Sequence, residues 1–313
     1  MSDQYYDYSG GFTVFSYDTG LNKGWYYILN TTGNDTRGAK AYYPSGTVPY
    51  YDNTTYEIHL PGVTYHYTDT ILHEYAHYVM HCLYGFNYWP SGYIEYYVDK
   101  ASNNITAWIE GWAFYFPLAV DNNGTYYGSG DNLWDFENKN WNTSGWDDGD
   151  NVIGRVTGAF WDIYDSNSDC APWYYDDFTD GFNRIWNTVS IMCSYDLAAF
   201  KWFWVVWNGT YYIHSPYGGK APNSTYNQQD WTGALMAIFQ NSIDYRGAGD
   251  ANCDGKARVD DVLFVANHFG LNEGDPGWDK RADVYPVGGG DNKVRIDDVT
   301  CAQHNFGNNY DCK

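Results

Sequence analysis

Two histidines four residues apart, His73 and His77, stand within the stretch Thr68 to His81, and Glu74 follows the first directly. Ile71, Leu72, Ala76, Val79, Met80 and Leu83 recur around them at spacings of about three and four, which predicts a helix with one apolar side. Thr68 or Asp69 is placed to cap its start, and Gly85 to end it in the left-handed conformation. On such a helix His73 and His77 lie one above the other on a single face. Few sequence features restrict a fold so tightly, because that face must meet something that satisfies two imidazoles.

The pattern is H-E-x-x-H, in which the ring nitrogens converge on one cation. Glu74, about 100° round the axis, reaches a water on that cation but not the cation itself. This is the geometry of zinc hydrolysis, with Glu74 as general base. The alternative is a helix whose histidines are merely packed in a core. Downstream, Thr106 to Pro117 reads as a second helix, nearly all apolar, with one acid, Glu110. A carboxylate buried there needs a partner. Zn²⁺ would be one, making Glu110 the third ligand and leaving the fourth position to water. A buried cation such as Arg155 is the other option.

The 313-residue chain is long enough for one large domain and a small one. Its formal charge of −22 argues against nucleic acid or anionic membranes as partners. No apolar run is long enough to span a bilayer. Aromatic residues make up 20%, so rings carry much of the core. Six cysteines, Cys82, Cys170, Cys193, Cys253, Cys301 and Cys312, form no C-x-x-C pair. Three precede residue 247 and three follow it, so complete pairing requires a bridge between the two parts. Sequons occur at Asn30, Asn34, Asn53, Asn104, Asn123, Asn142, Asn208 and Asn223. Cysteines and sequons together favour an extracellular or cell-surface, disulfide-bonded glycoprotein. Residues 1–30 lack the basic start and apolar core of a signal peptide.

Residues 10–60 read as a β-rich lobe, with runs at 12–17, 24–29, 41–43 and 55–60 divided by Gly, Asn and Pro. The last run, directly before the motif helix, could form the rim of a peptide-binding cleft. Residues 121–150, rich in Gly, Asn and Asp, read as a long loop or, alternatively, a calcium-binding stretch, 152–166 as a third helix, and 182–207 and 230–244 as further helices. Arg155, Asp162, Tyr164 and His214 are candidates for a supporting or oxyanion role.

H-E-x-x-H followed by Glu110-Gly111-Trp112-Ala113, and later by Arg155 to Asp165, resembles the gluzincin-type zinc metallopeptidases of secreted bacterial and archaeal proteins. The resemblance covers about residues 40–205. It implies a zincin-like α+β domain over residues 1–246, a zinc site of His73, His77 and Glu110, and endopeptidase activity on protein or peptide substrates. Two departures stand out. Thirty-two residues separate His77 from Glu110. Phe114 also occupies the place of an Asp that often follows the ligand Glu. Met80 and Leu83 exclude the metzincin pattern.

Gly247-Ala248-Gly249 marks a boundary. Beyond it, Asp250, Asn252, Asp254 and Asp261 fall at positions 1, 3, 5 and 12 of a loop with Gly255 at 6, as in an EF-hand. Lys256 stands at position 7, which offers a backbone carbonyl. A second segment, residues 283–307, repeats the end of the first but carries extra residues at 286–290. Its candidate calcium ligands are Asp283, Asp291, Lys293 and Asp298. Two loop–helix repeats over residues 247–312 resemble a dockerin domain, which implies Ca²⁺-dependent folding and a cohesin-like partner. A calcium-stabilised appendage without a partner is the alternative. For the whole chain the competing expectation is a structural or adhesive surface protein that self-associates.

Overall fold

The computed structural model describes residues 20–36, 38–62, 64–86, 89–128, 133–141, 143–166, 179–192, 228–252, 256–287 and 290–308. Eight helices and five short strands are seen among them. They are α1 (Gly20–Thr32), β1 (Lys40–Tyr42), β2 (Tyr50–Asp52), β3 (Glu57–His59), α2 (Thr68–Leu83), α3 (Asn104–Asp121), β4 (Thr125–Tyr127), β5 (Leu133–Asp135), α4 (Ile153–Tyr164), α5 (Gly181–Met192), α6 (Gln228–Gln240), α7 (Val259–Asn267) and α8 (Ile296–His304). The architecture is mixed α and β, mostly helical. No helix among the described residues is long and apolar enough to cross a membrane.

The core is helix on helix. α3 packs between α2 and α4, and α1 lies against α2. Trp108, Trp112, Tyr115 and Phe116 of α3 are fully buried, as are Phe160 of α4 and Tyr75 of α2. α3 comes close to α4 at Gly111, where a β-carbon would stand 2.6 Å from Val156 Cγ1. Only a residue without a side chain permits that spacing.

Of the runs expected as strands, that at 24–29 lies in helix, while those at 41–43 and 55–60 carry β1 and β3. Trp25 to Ile28 are β-prone one by one, yet they lie inside α1. Leu21, Trp25 and Ile28 fall at i, i+4 and i+7 and are buried together. Gly20 and Gly24 let α1 press on Ile71 and Tyr75 of α2. A buried stripe of helical period outweighs single-residue strand preference. The run at 12–17 lies outside the described residues. What remains is a three-stranded sheet of order β1-β3-β2, with β3 parallel to β1 and antiparallel to β2.

The strand before the motif helix is therefore the middle one. Both edges of β3 are paired, so it offers no backbone to a substrate; β2 is the free rim on the cleft side. Three further boundaries differ from expectation. The N-cap of α2 is Tyr67 rather than Thr68 or Asp69, and Asp69 instead accepts a bond from the Tyr127 amide at 2.6 Å. α3 runs through Pro117 to Asp121 because Leu118 and Ala119 are buried against the core. The region read as a loop over residues 121–150 contains the β4–β5 hairpin. Gly85 does adopt a positive φ at the end of α2.

The tail has a small core of its own, with Val265, Trp278, Ala282, Val284, Val294 and Ala302 buried. The two repeats pair reciprocally. Val294 exchanges backbone bonds with Gly270 and Leu271 after α7, and Ala257 does the same with Gly307 and Asn308 after α8.

Candidate metal centre

α2 carries His73 and His77 onto the face that meets α3, and α3 supplies Glu110. The Nε2 of His73 lies 3.2 Å from Glu110 Oε2, and the Nε2 of His77 lies 3.6 Å from Oε1. All three side chains are buried, and their donor atoms lie within 4.8 Å of one another. A tetrahedral ion bonded at about 2.0–2.1 Å sets its ligands roughly 3.3–3.4 Å apart. The two nitrogen–oxygen separations fit such an ion. Two nitrogens, one carboxylate and an open side make a donor set suited to zinc.

The indole of Trp112, two residues on from Glu110, donates to the Ala76 carbonyl at 3.0 Å. That bond braces α3 against the backbone of α2 between the two histidines. Tyr96, from the segment that links α2 to α3, donates to Glu110 Oε2 at 2.8 Å. Arg155 is not the partner of Glu110. It bonds Asp148 Oδ1 and the carbonyls of Asn140 and Asp147, and so holds the loop before α4. Asp162 bonds Asn241, and Tyr164 bonds the Ala119 carbonyl, so neither supports the centre. His214 lies outside the described residues. His81 faces away, paired with Tyr51 at 2.8 Å.

Phe114 has a definite role in place of the missing Asp. Its ring meets His73 edge-on, with centroids 4.6 Å apart. The Nδ1 atoms of His73 and His77 are buried and have no hydrogen-bond partner among the described residues. Aromatic contact, rather than a carboxylate, orients the His73 ring.

Burial drives the charge states. It pushes the Glu74 carboxyl up to about 7, and Glu110 adds to that, while His73 and the Tyr51 amide pull it down. Burial also raises Glu110, but His77, His73 and Tyr96 outweigh it and hold the group at about 2. His77 is brought down to about 4, first by desolvation. Glu110 is thus a firm anion and His77 a neutral imidazole, the forms in which both donate to a metal.

The centre opens on a cavity of about 340 Å³ lined by Tyr50, Tyr51, Glu74, Trp89, Tyr93 and Tyr96, among others. A second cavity of about 380 Å³ shares His73, Glu74 and Tyr96 and continues toward Tyr126 and Trp134. Glu74 therefore sits where two halves of a cleft meet. Tyr93 and Tyr96 were not singled out in the sequence, because one tyrosine among 34 carries no local signal.

Residues 31–214, more than half of the chain, match the family described as Mycolysin C-terminal domain. The chain belongs to that family. The mycolysin-type segment takes in α2, α3 and α4 whole, so Glu74 and the three converging donors all lie within it, and the chain is protease-related. It ends before α6 and the tail. No curated protein and no solved structure matches the chain significantly.

Beyond the mycolysin-type segment, Asp250 and Asp261 are buried in the first loop of the tail, and Asp254 lies outside the described residues. Asp261 accepts bonds from the amides of Ala251, Asn252 and Arg258. Asp298 does the same from Val284, Tyr285 and Arg295. Asn30, Asn34, Asn53 and Asn123 are exposed, whereas the Asn104 amide is engaged with Asp150. Asn142, Asn208 and Asn223 lie outside the described residues, as do Cys170, Cys193, Cys253 and Cys312. Cys82 and Cys301 are free thiols.

Proposed function

We propose that the chain is an extracellular zinc-dependent endopeptidase. One observation carries this reading: the buried convergence of His73, His77 and Glu110 beside Glu74, at the middle of a two-sided cleft. A zinc ion held by these three side chains would polarise a water and a scissile carbonyl and lower the pKa of that water toward neutrality. Glu74, with a pKa near 7, accepts the proton of the attacking water and returns it to the departing amine. The free edge of β2 pairs with an extended peptide and sets the carbonyl over Glu74. Tyr93, half exposed at the cavity mouth, donates to the carbonyl oxygen as charge develops. The tail, residues 247–313, is a dockerin-like module that takes Ca²⁺ in its first loop and docks on a cohesin-like partner. A structural or adhesive role leaves three buried ionisable donors around a cavity without a purpose.

The test is hydrolysis of a broad peptide library with and without chelator, and by Glu74→Gln. Chelator should abolish cleavage and zinc restore it. Glu74→Gln should lower kcat/KM by about 10²–10⁴-fold while zinc content stays unchanged. Cleavage that survives chelation disposes of the reading.

A further inference from the structure

The dockerin resemblance implies a second calcium in the loop that begins at Asp283, and the residues there do not fit one. Asp283 is fully buried, and each of its oxygens accepts a backbone amide. Oδ1 accepts from the Asp291 amide at 3.0 Å, and Oδ2 from the Asn292 amide at 2.7 Å. The Nζ of Lys280, itself buried, lies 2.9 Å from the same Oδ2 and 2.6 Å from Asn292 Oδ1. Its remaining side faces Trp141, with the ammonium 4.6 Å from the ring centroid. We propose that the Lys280 ammonium takes the place of the divalent cation, so that the second repeat folds without calcium.

Three further observations agree. Calcium demands six to eight oxygens at about 2.3–2.6 Å, yet among the described residues Asp283, Asp291 and Asp298 do not gather into a ligating group as the histidines and Glu110 do. The extra residues press on Asp283, for a β-carbon at Gly290 would stand 2.1 Å from its carboxylate. Position 3, an oxygen donor in Asn252, is here Tyr285, and position 6 is Asn292 at φ 63°, whose side chain serves the ammonium. A lysine and a calcium ion within one small loop would repel each other strongly.

The first repeat supplies the contrast. The same turn precedes both loops, closed by Asp250 N to Gly247 O and by Asp283 N to Lys280 O. The residue matching Lys280 is thus Gly247, which has no side chain to intrude. The second repeat carries its cation covalently, stacked on an aromatic ring of the peptidase part.

The inference rests on the dockerin-like reading of the tail and is independent of the zinc centre, so a calcium count separates it from the peptidase assay. The full chain is stripped with chelator, dialysed against calcium alone, and its bound calcium counted by mass spectrometry. Asp250→Asn should lose one equivalent, and Asp283→Asn none. Loss of an equivalent in a folded Asp283→Asn chain overturns the proposal. Lys280→Met leaves a buried carboxylate uncompensated; its melting temperature in chelator should fall well below that of the wild type, and Lys280→Arg should fall less. A Lys280→Met chain as stable as the wild type in chelator also overturns it.

Discussion

Glu110 must stay charged in a nearly dry place, and its neighbours make that tolerable. Two imidazoles and the Tyr96 hydroxyl face its oxygens, and Trp112 fixes the helix turn on which it rides. Tyr96→Phe removes one charge-assisted hydrogen bond, worth about 1.5–3 kcal/mol. Partners of this kind are worth about 10–100-fold in metal affinity. Tyr96→Phe should therefore weaken zinc binding about 10-fold or more in competition with a fluorescent chelator, and lower the stability of the zinc-free chain by about 1.5–3 kcal/mol. Unaltered affinity would show that Glu110 is held by the helix alone.

At the scale of elements, the α3–α4 contact sets how deeply Glu110 reaches. Gly111→Ala improves helix propensity by about 1 kcal/mol. Against this, the new methyl meets Val156 at 2.6 Å in a filled core, where overpacking costs about 1–3 kcal/mol. The clash is with a stiff β-branched side chain, so the cost wins. Gly111→Ala should lower stability by up to about 2 kcal/mol in urea unfolding, and Gly111→Ala/Val156→Ala should recover part of that loss. A more stable single variant would mean that α3 and α4 can part freely.

These elements also divide what could be read in the sequence from what could not. The motif helix and its partner were legible because apolar residues of helical period surround their polar ones. Glu110 was legible as a lone acid in an apolar run. α1 was not, since its glycines disfavour helix and its aromatics favour strand locally, and only the packing of Gly20 and Gly24 on α2 shows the glycines' use. β2 was hidden because only Tyr50 and Tyr51 stand between Pro49 and the turn that Asp52 makes with Thr54 and Thr55, and it, not β3, lies at the rim. Tyr93 and Tyr96 reach the centre through a connection whose path no periodicity describes. Gly247 and Lys280 differ in a way that repeat alignment displays but does not explain without the ammonium's partners.

Over the whole molecule, a buried arginine joins the tail to the rest. Arg246 pairs with Asp244 at 2.8 Å and donates to the carbonyls of Arg281 and Asp283, while its guanidinium lies 4.2 Å from the Phe239 ring centroid. Burial pushes the Asp244 carboxyl up, but Arg246 outweighs it and holds the group below the usual carboxylate range. A depressed native pKa gives stability that is present above the unfolded value, about 3.9, and lost as pH falls through the native one. The joint should therefore weaken below about pH 4. Asp69, Asp261 and Asp298 are shifted upward by burial, so their contribution runs the other way. Comparing the full chain with Asp244→Asn isolates the joint: melting temperature should fall more steeply for the wild type between about pH 4 and pH 2.5. Parallel curves would show that the pair adds nothing to stability.

The same joint bears on reach. Arg246 stands directly before Gly247, so no slack chain intervenes between the cleft and the tail. Whatever grips the tail would hold the cleft as a bracket holds a tool, at a set angle and a set height. Such an anchored molecule cannot sweep a volume as a tethered one does.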